Sequence, residues 1–169
     1  ENDKYALVKV GAGENWHQFV LWALEKDLGG IENLSLIPGT VGAAPMQNIG
    51  AYGVELKEVF VELEAFEIKT RSIKTFNKEE CQFDYRYSIF KGELKDKYII
   101  TSVTFRLTKN HQFNIEYGAV KKTLVEMGFD RLSIGRDRAF SIPLSILNPS
   151  QLPLPTIANI RSIDHLSLI

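Results

Sequence analysis

Apolar positions along the chain keep to one of two spacings, and the changes between them divide its first part into elements. YALVKVGAG, at 5–13, is a short apolar run closed by glycines, which predicts a strand running into a turn. In ENWHQFVLWALEKDLGG, Trp16, Phe19, Val20, Ala23, Leu24 and Leu28 recur at helical spacing. With acidic Glu14 near the start and Gly29-Gly30 as a left-handed stop, that spacing predicts a helix over 15–28.

Beyond residue 57 the period falls to two. In EVFVELEAFEI, at 58–68, Val59, Val61, Leu63 and Ala65 oppose Glu58, Glu62 and Glu64, as in a half-buried strand. RSIKTF follows after a short turn and predicts a hairpin partner. Asn77 stands three residues before Glu80, the spacing of a capping box that starts one helical turn. KYIITSVTFRL, at 97–107, is rich in β-branched and aromatic residues and predicts a further strand. YGAVKKTLVEMGF, at 117–129, returns to helical spacing through Val120, Leu124 and Val125, with Gly128 as its stop. The expected class is α+β: a mixed or antiparallel sheet with flanking helices.

The pattern then fails. Residues 127–169 contain no Lys and no Glu, and hold Pro143, Pro149, Pro153 and Pro155. NPSQLPLPT is expected to be extended, because proline removes donors and blocks helix. The division expected is therefore 1–126 as one unit and 127–169 as a second. The second is either a divergent, loop-rich end or one read in another frame.

Composition narrows the function classes. The 169 residues are 44% hydrophobic, enough for a real core. Twenty Lys and Arg against 21 Asp and Glu leave a net charge of −1, which provides no field for a polyanion, so nucleic acid is not an expected partner. Apolar runs fall short of the ~20 residues of a membrane span, and the polar, acidic start is unlike a signal peptide. Neither a membrane nor secretion is expected. Cys81 is the single cysteine, which rules out an internal disulfide and fits a reducing, cytoplasmic setting.

Two segments carry candidate chemistry. PGTVGAAPMQNIGAYG, at 38–53, holds four glycines and two prolines among small, apolar or amide side chains. Gly39, Gly42, Gly50 and Gly53 let backbone N–H groups approach a ligand, although glycines also make ordinary turns. If TVGAAPM opens as a helical turn, its first amides suit a phosphate or a flavin carbonyl. Neither a GxGxxG motif nor a Walker lysine accompanies it. In FDYRYSIFK, at 83–91, Arg86 lies between two tyrosines, near Ser88, with Phe83, Ile89 and Phe90 expected to pack around it. A guanidinium so held can grip a carboxylate through two hydrogen bonds, although such an arginine also serves in surface ion pairs. His17, His111 and His165 are scattered, and no metal site is expected.

Taken in order, GAGENW, GIENLSLIPGTVGAAPMQNIGAYG, KEECQFDYRYSIFK and YIITSVTFRLTK resemble the UDP-N-acetylenolpyruvoylglucosamine reductases, the MurB flavoenzymes of peptidoglycan synthesis, over about residues 5–125. The resemblance implies an FAD-binding domain of the MurB or PCMH-type flavoprotein kind. It implies a cytoplasmic reductase in which NADPH reduces bound FAD and the flavin passes hydride to the enolpyruvyl double bond of a UDP-sugar, giving UDP-N-acetylmuramate. Carried over by position, it implies contacts to FAD from Pro38, Gly39, Gly42, Ala43, Met46, Gly50, Tyr52 and Ile100. Arg86 falls on the family's catalytic arginine, which holds the substrate carboxylate and stabilises the enolate-like charge. Tyr117 falls on a tyrosine that contacts the UDP-sugar. Another oxidoreductase of the same broad fold would share the glycine-rich segment without YRYS.

The resemblance also implies an N-terminal lobe with a GGGSN-type diphosphate loop before residue 1. It further implies a GNAGSFFKNP segment with a proton-donating serine, and a late assisting glutamate. Residues 127–169 contain neither; SQLPLPTI is similar to the family's SKLPDP lead-in alone. The resemblance thus implies that 1–126 is part of the FAD-binding domain and that 127–169 is a diverged, truncated or frame-shifted start of the substrate-binding domain. An alternative to turnover is therefore a flavin- or nucleotide-binding fragment.

Overall fold

The computed structural model describes residues 4–111 and the backbone of Ser167–Leu168. In chain order come β1 (Tyr5–Gly11), α1 (Trp16–Glu25), β2 (Gly50–Ala51), β3 (Val54–Glu55), β4 (Phe60–Glu67), β5 (Ser72–Asn77), the single-turn α2 (Lys78–Cys81), β6 (Tyr98–Thr108) and β7 (Ser167–Leu168). Short 3-10 turns span Glu32–Leu34, Pro45–Gln47 and Leu56–Glu58. One sheet runs β5-β4-β6-β1-β7, all of its pairs antiparallel, and β2 and β3 form a separate hairpin. The expected helix at 117–129, Tyr117 and the proline-rich stretch lie outside the described residues.

Helix α1 packs on the sheet because its apolar stripe matches its period. Trp16, Phe19, Val20 and Ala23 are buried, and Phe19 and Trp16 sit 5.1 and 6.0 Å from the Phe105 ring of β6. The helix starts where Asn15, in extended backbone, accepts a hydrogen bond from the Gln18 N–H at 3.1 Å. It ends earlier than its spacing suggests. Lys26 caps it, and Asp27, at φ 59°, makes the left-handed reversal expected of Gly29-Gly30. Leu28 is buried just beyond the helix. The Trp16 indole donates to the Leu34 carbonyl at 2.8 Å, which ties α1 to the chain that leads into residues 38–53.

The β4–β5 hairpin forms as its alternation predicts, but the buried face of β4 differs. Phe60 faces Phe105, whereas Glu62 already faces Thr104, so Val61 is an extra residue in β4. The bulge turns Phe60, Leu63 and Ala65 to the core and leaves Val61 half-buried. A second bulge places the extra residue in β6 at Thr101, between the pairs Glu64–Ser102 and Ala65–Ile100. Thr101 then donates through Oγ1 to the Glu64 carbonyl at 3.0 Å and accepts from the Ala12 N–H at 2.9 Å. The capping box also forms: Asn77 accepts from the Glu80 N–H at 2.9 Å, and Glu80 accepts from the Asn77 N–H at 3.0 Å.

Candidate functional site

Residues 38–53 adopt successive turns, the Pro45–Gln47 3-10 turn and the β2–β3 hairpin. After Gly39 the chain turns tightly, the Ala43 and Ala44 N–H groups donating to the Thr40 and Val41 carbonyls at 3.1 and 3.3 Å ahead of the 3-10 turn, but two of the amides meant for a ligand are already used. Val41 N–H donates to the Glu14 carbonyl at 2.8 Å and Gly42 N–H to the Ala12 carbonyl at 2.9 Å. Gly42 is required by that approach: a Cβ there would lie 2.6 Å from the Ala12 Cβ. Gly39, at φ 118°, takes a turn that a side chain would strain. At the hairpin tip, Tyr52 at φ 49° and Gly53 at φ 76° supply the paired positive φ of a two-residue turn that fits strand twist.

What the segment presents is an open shelf. Pro38, Gly39, Ala43 and Met46 are exposed; Gly42, Gly50, Tyr52 and Ile100 are half-buried. Behind it, between Trp16, Ile37, Pro38 and Ala43, lies a hollow of about 30 Å³, room for one water. Such a surface fits one face of a flat ring system, since small side chains leave backbone close to the ring. A larger depression of about 350 Å³ is lined by Lys4, Tyr5, Gly30, Thr108 and Asn110, none of them a candidate residue.

Arg86 stands at the tip of a tight turn. Asp84 and Tyr87 exchange both backbone hydrogen bonds at 3.1 Å, leaving Tyr85 and Arg86 as the central residues. Arg86 is exposed, with φ 52°, and its guanidinium lies 5.8 Å from the Tyr85 ring. Its Nη2 donates to the Gly50 carbonyl at 2.5 Å, so the two sequence segments meet. Of the aromatic residues expected around it, Phe83 is half-buried against Phe60 at 4.9 Å and Phe90 is buried against Phe76 at 5.0 Å.

Two polar side chains to which sequence reasoning assigned no role hold this junction. Asn48, fully buried and left-handed at φ 43°, donates through Nδ2 to the Asp84 carbonyl at 3.1 Å and accepts through Oδ1 from the Lys57 N–H at 3.0 Å. Ser88, also fully buried, donates through Oγ to the Met46 carbonyl at 2.7 Å. Asn48 had a faint signal, since asparagine tolerates left-handed backbone. Ser88 had none.

Other titratable groups are structural. Burial, helped by Glu80 and Glu79, pushes the Cys81 thiol up to about 12. Hydrogen bonds from Lys9 and Ser102 hold Glu64 below the usual carboxylate range. Among the described residues, no group of three or more His, Cys, Asp or Glu side chains is placed to hold a metal ion, and no helix is long and apolar enough to cross a membrane.

An FAD binding domain model matches residues 1–70, a span that contains the shelf. With the antiparallel sheet, this defines an α+β FAD-binding domain. The UDP-N-acetylenolpyruvoylglucosamine reductase of Amoebophilus asiaticus is 54% identical over 155 residues, 92% of this chain and 45% of the relative. Those of Flavobacterium johnsoniae and Pseudomonas aeruginosa are 47% and 46% identical, over 92% and 89% of this chain and 45% and 43% of theirs. The crystal structure of MurB from Thermus caldophilus superposes with a TM-score of 0.53 at 27% identity, covering 71% of this chain and 41% of that one. The chain is a homologue of part of the MurB reductases, and it spans a little under half the length of the curated relatives it matches. A match over 155 of 169 residues necessarily continues past residue 126.

Proposed function

We propose that the full-length protein carrying this chain is a flavin-dependent reductase of peptidoglycan precursor synthesis. It uses NADPH to convert UDP-N-acetylenolpyruvoylglucosamine to UDP-N-acetylmuramate. The observation that carries the reading is the junction of Arg86 with Gly50, which brings the only two chemically suggestive segments of the sequence within hydrogen-bond contact. Bound FAD would supply the two-electron carrier between NADPH and the enolpyruvyl double bond. The chain's own residues would bind and orient: Pro38, Gly39, Gly42, Ala43, Met46, Gly50, Tyr52 and Ile100 along one face of the cofactor, and Arg86 on the substrate carboxylate. A fixed guanidinium there lowers the energy of negative charge developing beside the carboxylate. Tyr117 would contact the UDP-sugar. Both nucleotide substrates and the lone thiol fit a cytoplasmic setting.

The guanidinium stays protonated, so Arg86 cannot supply the proton that completes the reduction. The open shelf covers only one side of a ring system, and residues 127–169 contain no serine in the family's donor motif. These two facts favour a second reading for the chain by itself, a flavin- or nucleotide-binding fragment without turnover. FAD titration followed by flavin fluorescence, then anaerobic addition of NADPH, separates the readings. Binding with bleaching in the full-length protein, and weak or no binding in residues 1–169 alone, is the expected result. A full-length protein that is folded yet ignores FAD would overturn the proposal.

A further inference from the structure

We propose that Asn48 and Ser88 are positioning residues for Arg86, setting its guanidinium against Gly50 so that it meets a substrate carboxylate. The inference rests on the carboxylate-holding role proposed for Arg86. At its exposed tip the turn is held by its own pair of backbone hydrogen bonds, by Asp84 Oδ1 accepting from the Tyr85 N–H at 2.7 Å and by Lys91 Nζ donating to the Arg86 carbonyl at 3.1 Å, none of which ties it to the shelf. Its two legs are nevertheless pinned to the shelf from inside. Asn48 holds the Asp84 carbonyl on the incoming leg, and Ser88, which follows Tyr87 on the outgoing leg, holds the Met46 carbonyl. Both side chains are fully buried and reach across 36 and 42 residues of sequence.

The chemistry of each position is restrictive. Asn48 must donate to Asp84 and accept from Lys57 at once, in left-handed backbone. Aspartate could accept but not donate, and would bury a charge; glycine would keep the backbone and lose both bonds. Ser88 has room for one oxygen and uses it on Met46. Neither side chain need touch the ligand. Their effect is on where Arg86 points, and near-correct placement of a charged hydrogen-bond donor decides how much of its interaction is realised.

The test compares two probes by calorimetry in the FAD-loaded full-length protein: UDP-N-acetylmuramate, which carries a carboxylate, and UDP-N-acetylglucosamine, which does not. Variants are Ser88→Ala, Asn48→Gly, Arg86→Ala and the double variant Arg86→Ala/Ser88→Ala, each first confirmed folded by its thermal melt. Ser88→Ala and Asn48→Gly are expected to weaken the carboxylate probe roughly five- to tenfold while leaving the other probe unchanged, the scale of a displaced charged hydrogen bond. The double variant should bind no worse than Arg86→Ala alone, because the serine acts through the arginine. If Arg86→Ala keeps the preference for the carboxylate, the role of Arg86 itself fails. If Arg86→Ala loses that preference while Ser88→Ala and Asn48→Gly keep it, only the positioning role fails. Equal weakening of both probes, or loss of folding in both single variants, would mark Asn48 and Ser88 as fold-holding residues and overturn the proposal.

Discussion

Gly42 has no side chain because Ala12 leaves no space for one. Its Cα faces a neighbouring loop so closely that an added Cβ would meet the Ala12 Cβ at 2.6 Å and the Ala12 carbonyl at 3.1 Å. Both contacts are with backbone or a side chain that cannot swing away. Gly42→Ala is therefore expected to cost about 1–3 kcal/mol, the range of local overpacking, read as a lower midpoint in urea unfolding. An unchanged midpoint would show that the 11–14 loop yields freely. Cys81 is a second residue whose surroundings decide its chemistry. Its thiol is fully buried, and that burial pushes its pKa up to about 12, which leaves little thiolate near neutrality. A disulfide reagent should leave the native protein unlabelled and titrate Cys81 only once denaturant is added. Fast labelling under native conditions would contradict that burial.

At the level of elements, α1 is a lever between the sheet and the shelf, and its first turn carries a pH-sensitive contact. The Leu36 N–H donates to His17 Nδ1 at 3.3 Å, with the Ser35 hydroxyl at the same distance. An accepting Nδ1 requires the neutral imidazole with its proton on Nε2, and burial lowers the His17 pKa below its ordinary 6.5. The unfolded chain therefore takes up a proton before the folded chain does. The stabilisation is complete above pH 6.5 and declines as pH falls from there toward the lower folded value. Glu64 does not confuse this window, since its lowered pKa delays its own loss to below 4.5. Urea midpoints at about pH 7 and about pH 5 should differ more in the parent protein than in His17→Asn, where an amide oxygen replaces the ring acceptor. Equal pH slopes would remove His17 from the account. The helix start offers a simpler check: Asn15→Ala should cost about 1 kcal/mol through loss of the cap on Gln18.

The whole molecule explains why the shelf and the arginine turn face one another. Residues 48, 57 and 84 are joined through one buried amide, and 46 and 88 through one buried hydroxyl, so the segments are fixed together although no regular element spans them. The shelf is open and its hollow holds about one water, so a flavin placed as proposed would have a wall on one face. Relatives of roughly twice the length match this chain over 45% of their extent, and the proposed function has the remainder supply the other walls of the site. Affinity for FAD should accordingly rise steeply from the isolated chain to the full-length protein, since contacts to a diphosphate are among the strongest a site makes. Equal affinity in the two would place the whole cofactor site within residues 1–169.

Local order in this protein was legible wherever a period governed it. Helix α1, the β4–β5 hairpin, the capping box at Asn77 and the long strand β6 all follow from spacing, because burying one face of a helix or strand repeats every 3.6 or two residues. The chemical interest of residues 38–53 and of Arg86 was equally visible, since bare backbone and a guanidinium among aromatics are unusual local compositions. Tertiary contacts decided the rest. The bulge at Val61 put Phe60 into the core against its alternation, because β4 must follow the curve of β6. The turn after Gly39 closes in tight 3-10 fashion, and its Val41 and Gly42 amides, visible in the sequence only as ligand donors, are taken by carbonyls on the 11–14 loop. Asn48 and Ser88 acquired their roles from partners 36 and 42 residues away, and no period or local motif encodes a hydrogen bond closed over that distance.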